Sequence, residues 1–492
     1  MPVRPYDQNK TFLLPPSLNE WVTEKNPVRI FSKLVDRLNI SRLHEPQPTG
    51  RPSYDRRMLL KVLLWAYVNG IRSSRKIERL LCTDIEFMWL AGMERPDFRT
   101  ICLFRACNWD AIEDLFAQVV LLAQELGIVR LGLVAIDGTK MRASAGVDSF
   151  RQVQKWREEL QRAKDEVRKV LEEAEALDRE EDERYGSDRR GDELPEGLED
   201  AQEWVQKIEG LLRELEELGE DEEIRVSMTD PDARFMHSKK GSLPAYNAQA
   251  AVTEDQFIVY ADVTNEPIDV NQLLPALDGT AAVCKERPQR ALADAGYISG
   301  RNYAGLEERK IDGYIPETEE RHIGKQQRGK KSDLYKKRDF KYNKEQDCYV
   351  CPAGRELVRK TQARVKTKYS EREMTFYRPK ERGVCLKCPL KAKCTETMNP
   401  VGRTVSRDKY EEERERMREK IKSKEGKKIY AKRKCTIEPV FGQIRVIERF
   451  VQFLLRGLKK VRIEWKWAAI AHNMLKIIRK VESGEVSLEA VT

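Results

Sequence analysis

The sequence predicts an α/β chain: a mixed sheet assembled from separated strands, preceded by an all-helical segment and broken by two inserts of opposite charge. Three observations predict it. Two short apolar runs, LGLVAIDG from 131 and QRALADAG from 289, have strand length and stop at an aspartate followed closely by glycine. Residues 1 to 126 carry helix-period patterns throughout. Charge is segregated, since a net +9 over 492 residues includes −13 on 151 to 225 and +20 on 321 to 440.

Taken in order, MLLKVLLWAYVNG and SSRKIERLLC read as consecutive helices with a glycine break, and FRACNWDAIEDLFAQVVLLAQEL as another helix or a pair. Arg51, Arg56, Arg57, Arg72, Arg75 and Lys76 give this region a basic side, either a binding surface or the solvated face of a bundle. LGLVAIDGTK is a buried strand expected to end at Asp137, with Asp-Gly as its turn. Val153, Trp156, Leu160, Ala163, Val167, Val170, Ala174 and Leu177 then step by three and four, as do Trp204, Ile208, Leu211, Leu215 and Leu218. YGSDRRGDELPEG separates the two runs, which predicts an antiparallel coiled-coil hairpin over 150–223, a self-contained arm or a dimerisation arm.

YNAQAAVTE alternates Tyr246, Ala248, Ala250 and Val252 against Asn247, Gln249 and Ala251, and pairs with FIVYADVTN as a hairpin. NQLLPALDGTAAV is helical, the second Asp strand follows with Asp294 at its end and a helix from Ser299, and IDGYIP is a brief last strand. In TIEPVFGQIRVIERF, Thr436 caps a helix, Pro439 fits its first turn, and Ile437, Val440, Ile444, Ile447 and Val451 line one face. The other face carries Glu438, Gly442, Arg445 and Arg449.

Carboxylates at strand ends lie side by side when the strands are neighbours. Asp137, Asp294 and Glu438 together offer hard oxygen ligands for magnesium, with Arg445 and Arg449 aimed at phosphates. Each also has an ordinary explanation: Asp-Gly is common turn chemistry, and a first-turn Glu complements the helix dipole. The +20 block favours a polyanion partner, because Lys and Arg contacts to phosphates supply sequence-independent affinity for DNA. Parts of it, such as GKQQRGKKSDLYKKRD, also read as a solvated linker. Within the block, Cys348, Cys351, Cys385, Cys388 and Cys394 are candidate zinc ligands in a ribbon-like pair of CxxC motifs. The 33 residues between the motifs exceed the usual ~15 to 20. Cys82, Cys102, Cys107 and Cys284 are expected as small core residues, and His472 as a helix-packing contact. Lys239 and Lys240, beside His237, are candidate phosphate contacts.

Charged residues make up 35% of the chain and mean hydropathy is −0.66, with no run approaching the ~20 apolar residues of a membrane span. The N-terminus MPVRPYDQNK has no signal-peptide core. These features predict a soluble intracellular protein, and CxxC spacing suits metal binding in a reducing compartment better than a disulfide framework.

AIDGTKMRASAG, SKKGSLPAYNAQAAVTEDQFIVYADVTNEPIDVNQLLPAL, LADAGY, and IEPVFGQIR with RGLKKVRIEWKWAAIAHNMLKI resemble, in this order, the motifs of DDE transposases of bacterial insertion sequences. RPSYDRRMLLKVLLWAYVNGIRSSRKIERL is similar to the helical domain that precedes their core. The resemblance implies a ribonuclease H-like catalytic core and Asp137, Asp294 and Glu438 as a triad holding Mg2+ or Mn2+, two ions per site. Tyr430, Arg433 or Lys434, Glu438 and Arg445 approximate a Tyr, Arg, Glu, Lys signature, with Arg in place of the last Lys. It implies cleavage of the element's own ends and strand transfer into target DNA, with Arg433, Lys434, Arg445 and Arg449 among the DNA contacts. A cytoplasmic homo-oligomer, at least dimeric during synapsis and with no membrane partner, is expected. The alternatives are a non-catalytic DNA-binding protein and a nuclease without strand transfer. The expected organisation is a helical domain at 1–126, a core at 127–316 interrupted by the hairpin at 150–223, a basic Cys-rich insertion at 317–429, and helices completing the core at 430–492.

Overall fold

The structure is a computed structural model that describes residues 17–44, 53–185, 198–217, 219, 222–238, 241–316, 334–367, 370–395, 398–447, 449–487 and 489. It is a mixed α/β protein of two compact units, Met1–Pro288 with Lys434–Thr492, and Gln289–Arg433. No described helix is long and apolar enough to cross a membrane.

The first unit begins with seven helices: α1 (Leu18–Trp21), α2 (Pro27–Asp36), α3 (Arg56–Val68), α4 (Ser74–Thr83), α5 (Ile85–Leu90), α6 (Phe98–Cys107) and α7 (Trp109–Glu125). Their starts are written in the sequence. Asn26 accepts from the Val28 N–H ahead of Pro27, and Asp55, Asp84 and Asp97 accept likewise from Met58, Glu86 and Thr100. Of the basic residues singled out here, Arg51 lies outside the described residues, while Arg56 and Arg57 serve the fold. Arg57 donates to the carbonyls of Val35, Asp36 and Leu38, which closes the end of α2, and Arg56 donates to Leu43.

Arg72 is drawn inside, where it pairs with the fully buried Glu464 at 3.0 Å and donates to the Gln452 carbonyl. Burial pushes the Glu464 carboxyl up, while the Leu455 and Leu454 N–H groups and Arg72 pull it down. A basic side read from sequence is here partly a set of internal ties.

Strand β1 (Leu133–Arg142) pairs antiparallel with β5 (Gly241–Thr253). Between them lie β2 (Phe150–Gln152), α8 (Val153–Tyr185), α9 (Leu198–Glu217), β3 (Arg225–Ser227) and β4 (Arg234–Ser238). β4 and then β6 (Ile258–Thr264) pair with the other edge of β5, along its first and second parts. The β5–β6 hairpin has the expected alternation, but its polar side is buried too, with Asn247 and Gln249 at 0% and 1% exposure.

α8 and α9 run antiparallel, as the start of α8 (Val153, Trp156) packs on the end of α9 (Ile208, Leu211, Leu215). Lys164–Glu209 and Arg157–Glu216 pairs flank the seam. Leu218 and the connection at 186–197 lie outside the described residues, as do the side chains of Ala174 and Leu177.

α10 (Leu273–Cys284) packs on β6 and β5. The unit closes with α15 (Glu438–Val446) and α16 (Leu458–Glu482). α16 is apolar nearly all round, with Trp465, Trp467, Ile470 and Ile477 buried, because it packs between β6 and the helices α2, α3 and α7. His472 and Asn473 on α16 bond the β5–β6 turn, His472 Nε2 lying 3.1 Å from the Gln256 carbonyl. The helical segment and the sheet therefore share one core.

The second unit opens with β7 (Arg290–Ala293), α11 (Gly300–Glu308) and β8 (Asp312–Tyr314), with β7 and β8 parallel. Its larger part is a five-stranded antiparallel sheet in the order β13-β12-β11-β10-β9. The strands are β9 (Lys341–Asn343), β10 (Cys348–Val350), β11 (Glu356–Thr367), β12 (Ser370–Pro379) and β13 (Val405–Asp408), with α12 (Lys391–Cys394) in the loop after β12. Phe340, Tyr349, Leu357, Tyr377 and Val405 form its small core. α13 (Glu411–Lys422) packs on α11 and β8 through Arg416–Glu307 and Lys420–Asp312 pairs, and α14 (Lys424–Thr436) follows across the unit boundary. Most of GKQQRGKKSDLYKKRD lies outside the described residues.

Candidate functional site

Asp137 does not end its strand. β1 continues five residues past it to Arg142, in register with β5 from Thr253 to Ala245. The Asp-Gly pair reads as a turn in sequence, yet Gly138 stays extended because of what lies across from it. A Cβ at Gly138 would stand 2.2 Å from Gln249 Nε2, 2.6 Å from Asp269 Oδ1 and 2.7 Å from Asn247 Oδ1. Those groups form a buried polar cluster, in which Asp269 Oδ1 accepts from Asn247 Nδ2 at 2.7 Å, Gln249 Nε2 at 2.9 Å and Lys140 Nζ at 3.1 Å. Glycine is required here for close approach rather than for a turn.

Strand alternation separates two faces. Gly138 and Lys140 share the polar-cluster face with Gln249 and Asn247, while Asp137 and Thr139 face the other way beside Ala250 and Ala248. Asp137 is half-buried, Oδ1 accepts from the Gly138 N–H at 2.9 Å, and only small side chains flank it along β5.

Glu438 opens α15, a helix tied to β1 at its other end. Ile437, not Thr436, precedes the helix, and Pro439 sits in its first turn. Val440, Phe441 and Ile444 are buried, whereas Ile447 and Val451, expected on the same apolar face, are 45% and 58% exposed. The helix stops at Val446, and Arg449 adopts φ 51°, so the chain turns and buries Phe450 and Phe453 instead. Arg449 is accordingly off the helix face that its spacing gives it, exposed, with its carbonyl accepting from Arg72.

Glu438 and Arg445 are seven residues apart, two helical turns, and share a face. Arg445 Nη2 bonds Thr139 Oγ1 and reaches the Lys140 carbonyl at 3.4 Å. The Arg445 end of α15 is thus tied to β1 at Thr139, on the strand face that Asp137 shares. A Cβ added at Gly442, between Glu438 and Arg445, would meet nothing within 4 Å among the described residues, so this face is open. Past α15, Phe453 donates to the Arg142 carbonyl at 2.9 Å, and buried Asp230 accepts from Tyr246 Oη and the Gly457 N–H. Burial pushes both the Asp230 carboxyl and the Tyr246 hydroxyl up.

Asp294 lies in the second unit, where β7 does end as expected. Its Oδ1 accepts from the Gly296 N–H at 2.6 Å and caps a 3-10 turn, Ala295–Tyr297, before Ser299 starts α11. Among the described residues no group of three or more His, Cys, Asp or Glu side chains is placed to hold a metal ion. By chemistry the three acids suit a hard divalent cation, since each offers carboxylate oxygens and is half-buried or exposed.

Of the candidate DNA contacts, Lys239 and Lys240 lie outside the described residues. Arg433 and Lys434 fall in the last turns of α14, Lys434 exposed, and Arg445 is tied to β1. Asp269, Asn247 and Gln249 do not stand out as site residues in the sequence. Their signal is polar residues recurring on one face of a strand both of whose faces are covered.

The cysteines divide differently from their spacing. Cys351, Cys385, Cys388 and Cys394 line one cavity, while Cys348 is buried in β10 with Gln346 Oε1 3.9 Å away. Burial pushes the Cys394 thiol up; Arg403 opposes this, and Cys385, Cys351 and Cys388 add to it. None of the ten cysteines is in a disulfide, and Cys82, Cys102 and Cys107, expected in the core, are exposed on the outer sides of α4 and α6, leaving only Cys284 buried of that four.

Residues 350–478 match a family model described as transposase DDE domain, and residues 16–107 match one described as transposase domain (DUF772). No curated protein and no solved structure matches the chain.

Proposed function

With its two matched domains supporting a DDE transposase of an insertion sequence, we propose that the chain binds the ends of its own element, cuts them and joins the freed ends to target DNA. Asp137, Asp294 and Glu438 are its catalytic acids in this reading, within a ribonuclease H-like core. The observation that supports it most is the bond from Arg445 to Thr139, which ties α15, the helix that Glu438 opens, to β1, the strand that carries Asp137. Asp137, Asp294 and Glu438 would hold the divalent ions, magnesium or manganese, whose chemistry is to sharpen an attacking oxygen and stabilise a leaving one.

The chain's own residues do the rest. Ala248 and Ala250 beside Asp137 are fully buried, so in this reading a phosphodiester approaches from the exposed Glu438 side. Exposed Lys434 and Arg449 offer cations to its phosphates, with Lys239, Lys240 and Arg433 as further contacts. Arg445 acts first as the tie that positions Glu438. Water and then the freed 3′ hydroxyl are the attacking groups, so no Ser or Tyr nucleophile is needed. Two element ends brought together require at least a dimer.

The deciding experiment is cleavage of labelled DNA carrying the element's own end, with magnesium and with EDTA, for wild type and Glu438→Gln. Magnesium-dependent cutting that the variant lacks is expected. Binding without cutting under any metal would replace this reading with a non-catalytic DNA-binding protein, and cutting without joining of a pre-cut end would reduce it to a nuclease.

A further inference from the structure

The Cys-rich sheet of the second unit carries a side-chain cluster that cleavage chemistry does not use. Spacing alone pairs Cys348 with Cys351 and Cys385 with Cys388. The fold breaks the first pair. Along β10, successive side chains alternate, so Tyr349 and Cys351 turn toward the small core, where Cys351 and Cys394 both pack, and Cys348 turns to the opposite side. Cys351, Cys385, Cys388 and Cys394 instead line a single cavity of about 30 Å³, the size of one or two waters.

The backbone around these four is shaped as thiolate ligands need. Cys351-Pro352-Ala353-Gly354-Arg355 forms a tight turn with Gly354 at φ 75°, closed by Cys351 N–H to the Arg355 carbonyl at 2.8 Å. The Arg355 N–H then points back to Cys351 Sγ at 3.4 Å, a donor that favours a charged sulfur. Cys385 to Cys388 is a second turn, with the Cys388 N–H toward the Cys385 carbonyl at 3.4 Å, and Cys394 ends α12. Gly402, at φ 74°, packs over Cys385, where a Cβ would stand 2.7 Å from Sγ.

The surroundings select the ion. Among the described residues no Asp, Glu or His lines the cavity, whereas Arg355, Lys391 and Arg403 do, and Arg403 Nε is buried without a hydrogen-bond partner. Four thiolates around a divalent ion leave a net charge of about −2, which these cations offset. An all-sulfur set excludes magnesium and calcium and suits zinc. The five-residue core beneath is too small to hold five strands firmly by itself, the circumstance in which a structural metal contributes most.

We propose that Cys351, Cys385, Cys388 and Cys394 form a structural zinc site and that Cys348 is not a ligand. The thiols are not gathered at ligand distance in this structure. Side-chain rotation has to bring each to about 2.3 Å from the ion.

The test is zinc content of the purified full-length protein, with cobalt substitution as the spectroscopic readout, for wild type, Cys348→Ser and single Ser variants of the four. About one zinc per chain is expected in wild type and in Cys348→Ser, with intense visible bands of tetrahedral thiolate coordination after cobalt exchange. Each of the four other variants should fall to background. Should those variants fail to fold, alkylation mapping of wild type decides. Removing the metal should expose Cys351, Cys385, Cys388 and Cys394 to reagent together. Metal-free folded protein, loss of metal in Cys348→Ser, or alkylation unchanged by metal removal would each overturn the proposal, and none of them bears on DNA cleavage.

Discussion

The strands that carry Asp137 and Asp294 present nearly the same text, Ala-x-Asp-Gly and Ala-Asp-Ala-Gly, and the protein uses them in opposite ways. β7 stops at Asp294, whose carboxylate accepts from the Gly296 N–H and starts a turn. β1 runs straight through Asp137, because Gly138 answers to Gln249, Asn247 and Asp269 on the far side of the sheet. The same residue pair is turn chemistry in one strand and packing clearance in the other. What distinguishes them is not local: it is whether a paired strand brings polar side chains against the glycine. The lesson for the candidate site is that Asp294 is positioned by its own next residues, and Asp137 by a neighbouring strand.

If both acids serve the same chemistry, the largest effect should erase the difference between them. Asp137→Asn and Asp294→Asn each keep an acceptor oxygen for the N–H that the aspartate now binds. Both variants are expected to lose cleavage entirely while denaturant midpoints and DNA binding stay near wild type. Retained cutting in either would remove that residue from the site.

The next effect should separate the strands again. Gly138→Ala forces a methyl into three contacts under 3 Å. Overpacking of this kind costs typically ~1–3 kcal/mol, and here the upper end is expected, with slower cleavage because β1 must shift under Asp137. Urea unfolding read alongside the cleavage rate checks both. Asp269→Ala should cost about 1–3 kcal/mol, since it strips the common acceptor from Asn247, Gln249 and Lys140. An unchanged midpoint would mean that the cluster finds other partners.

How much of this is legible in the sequence follows the same division between local and distant causes. The apolar steps of α8 and α9 are readable because they recur along the chain, and Trp156, Ile208 and Leu211 pack in one cluster. Helix starts at Asn26, Asp55 and Asp97 are likewise local, each a cap acting within three residues. The end of β1, the polar cluster on Asp269, the inward turn of Arg72 to Glu464 and the parting of Cys348 from Cys351 are not. Each depends on a group that is remote in sequence or on which side of a strand a residue faces. The end of α15 lies between: its apolar period continues to Ile447 and Val451, but Arg449 in a left-handed conformation, with Phe450 behind it, ends the helix first.

The smallest effect tests the local side of the comparison by itself. Asp294→Ala removes the side-chain acceptor over the 3-10 turn and should cost ~1 kcal/mol, the usual value of an N-cap, where Asp294→Asn costs only a few tenths. Both variants lose the carboxylate, so cleavage should vanish alike in each, and only stability should tell them apart. Hydrogen exchange at Gly296 gives the readout at the site: protection should persist in the Asn variant and fall in the Ala variant. If the two exchange equally, the turn is held by the packing of Tyr297, which is fully buried. β7 would then end for the same reason that β1 does not, because of what lies across from it.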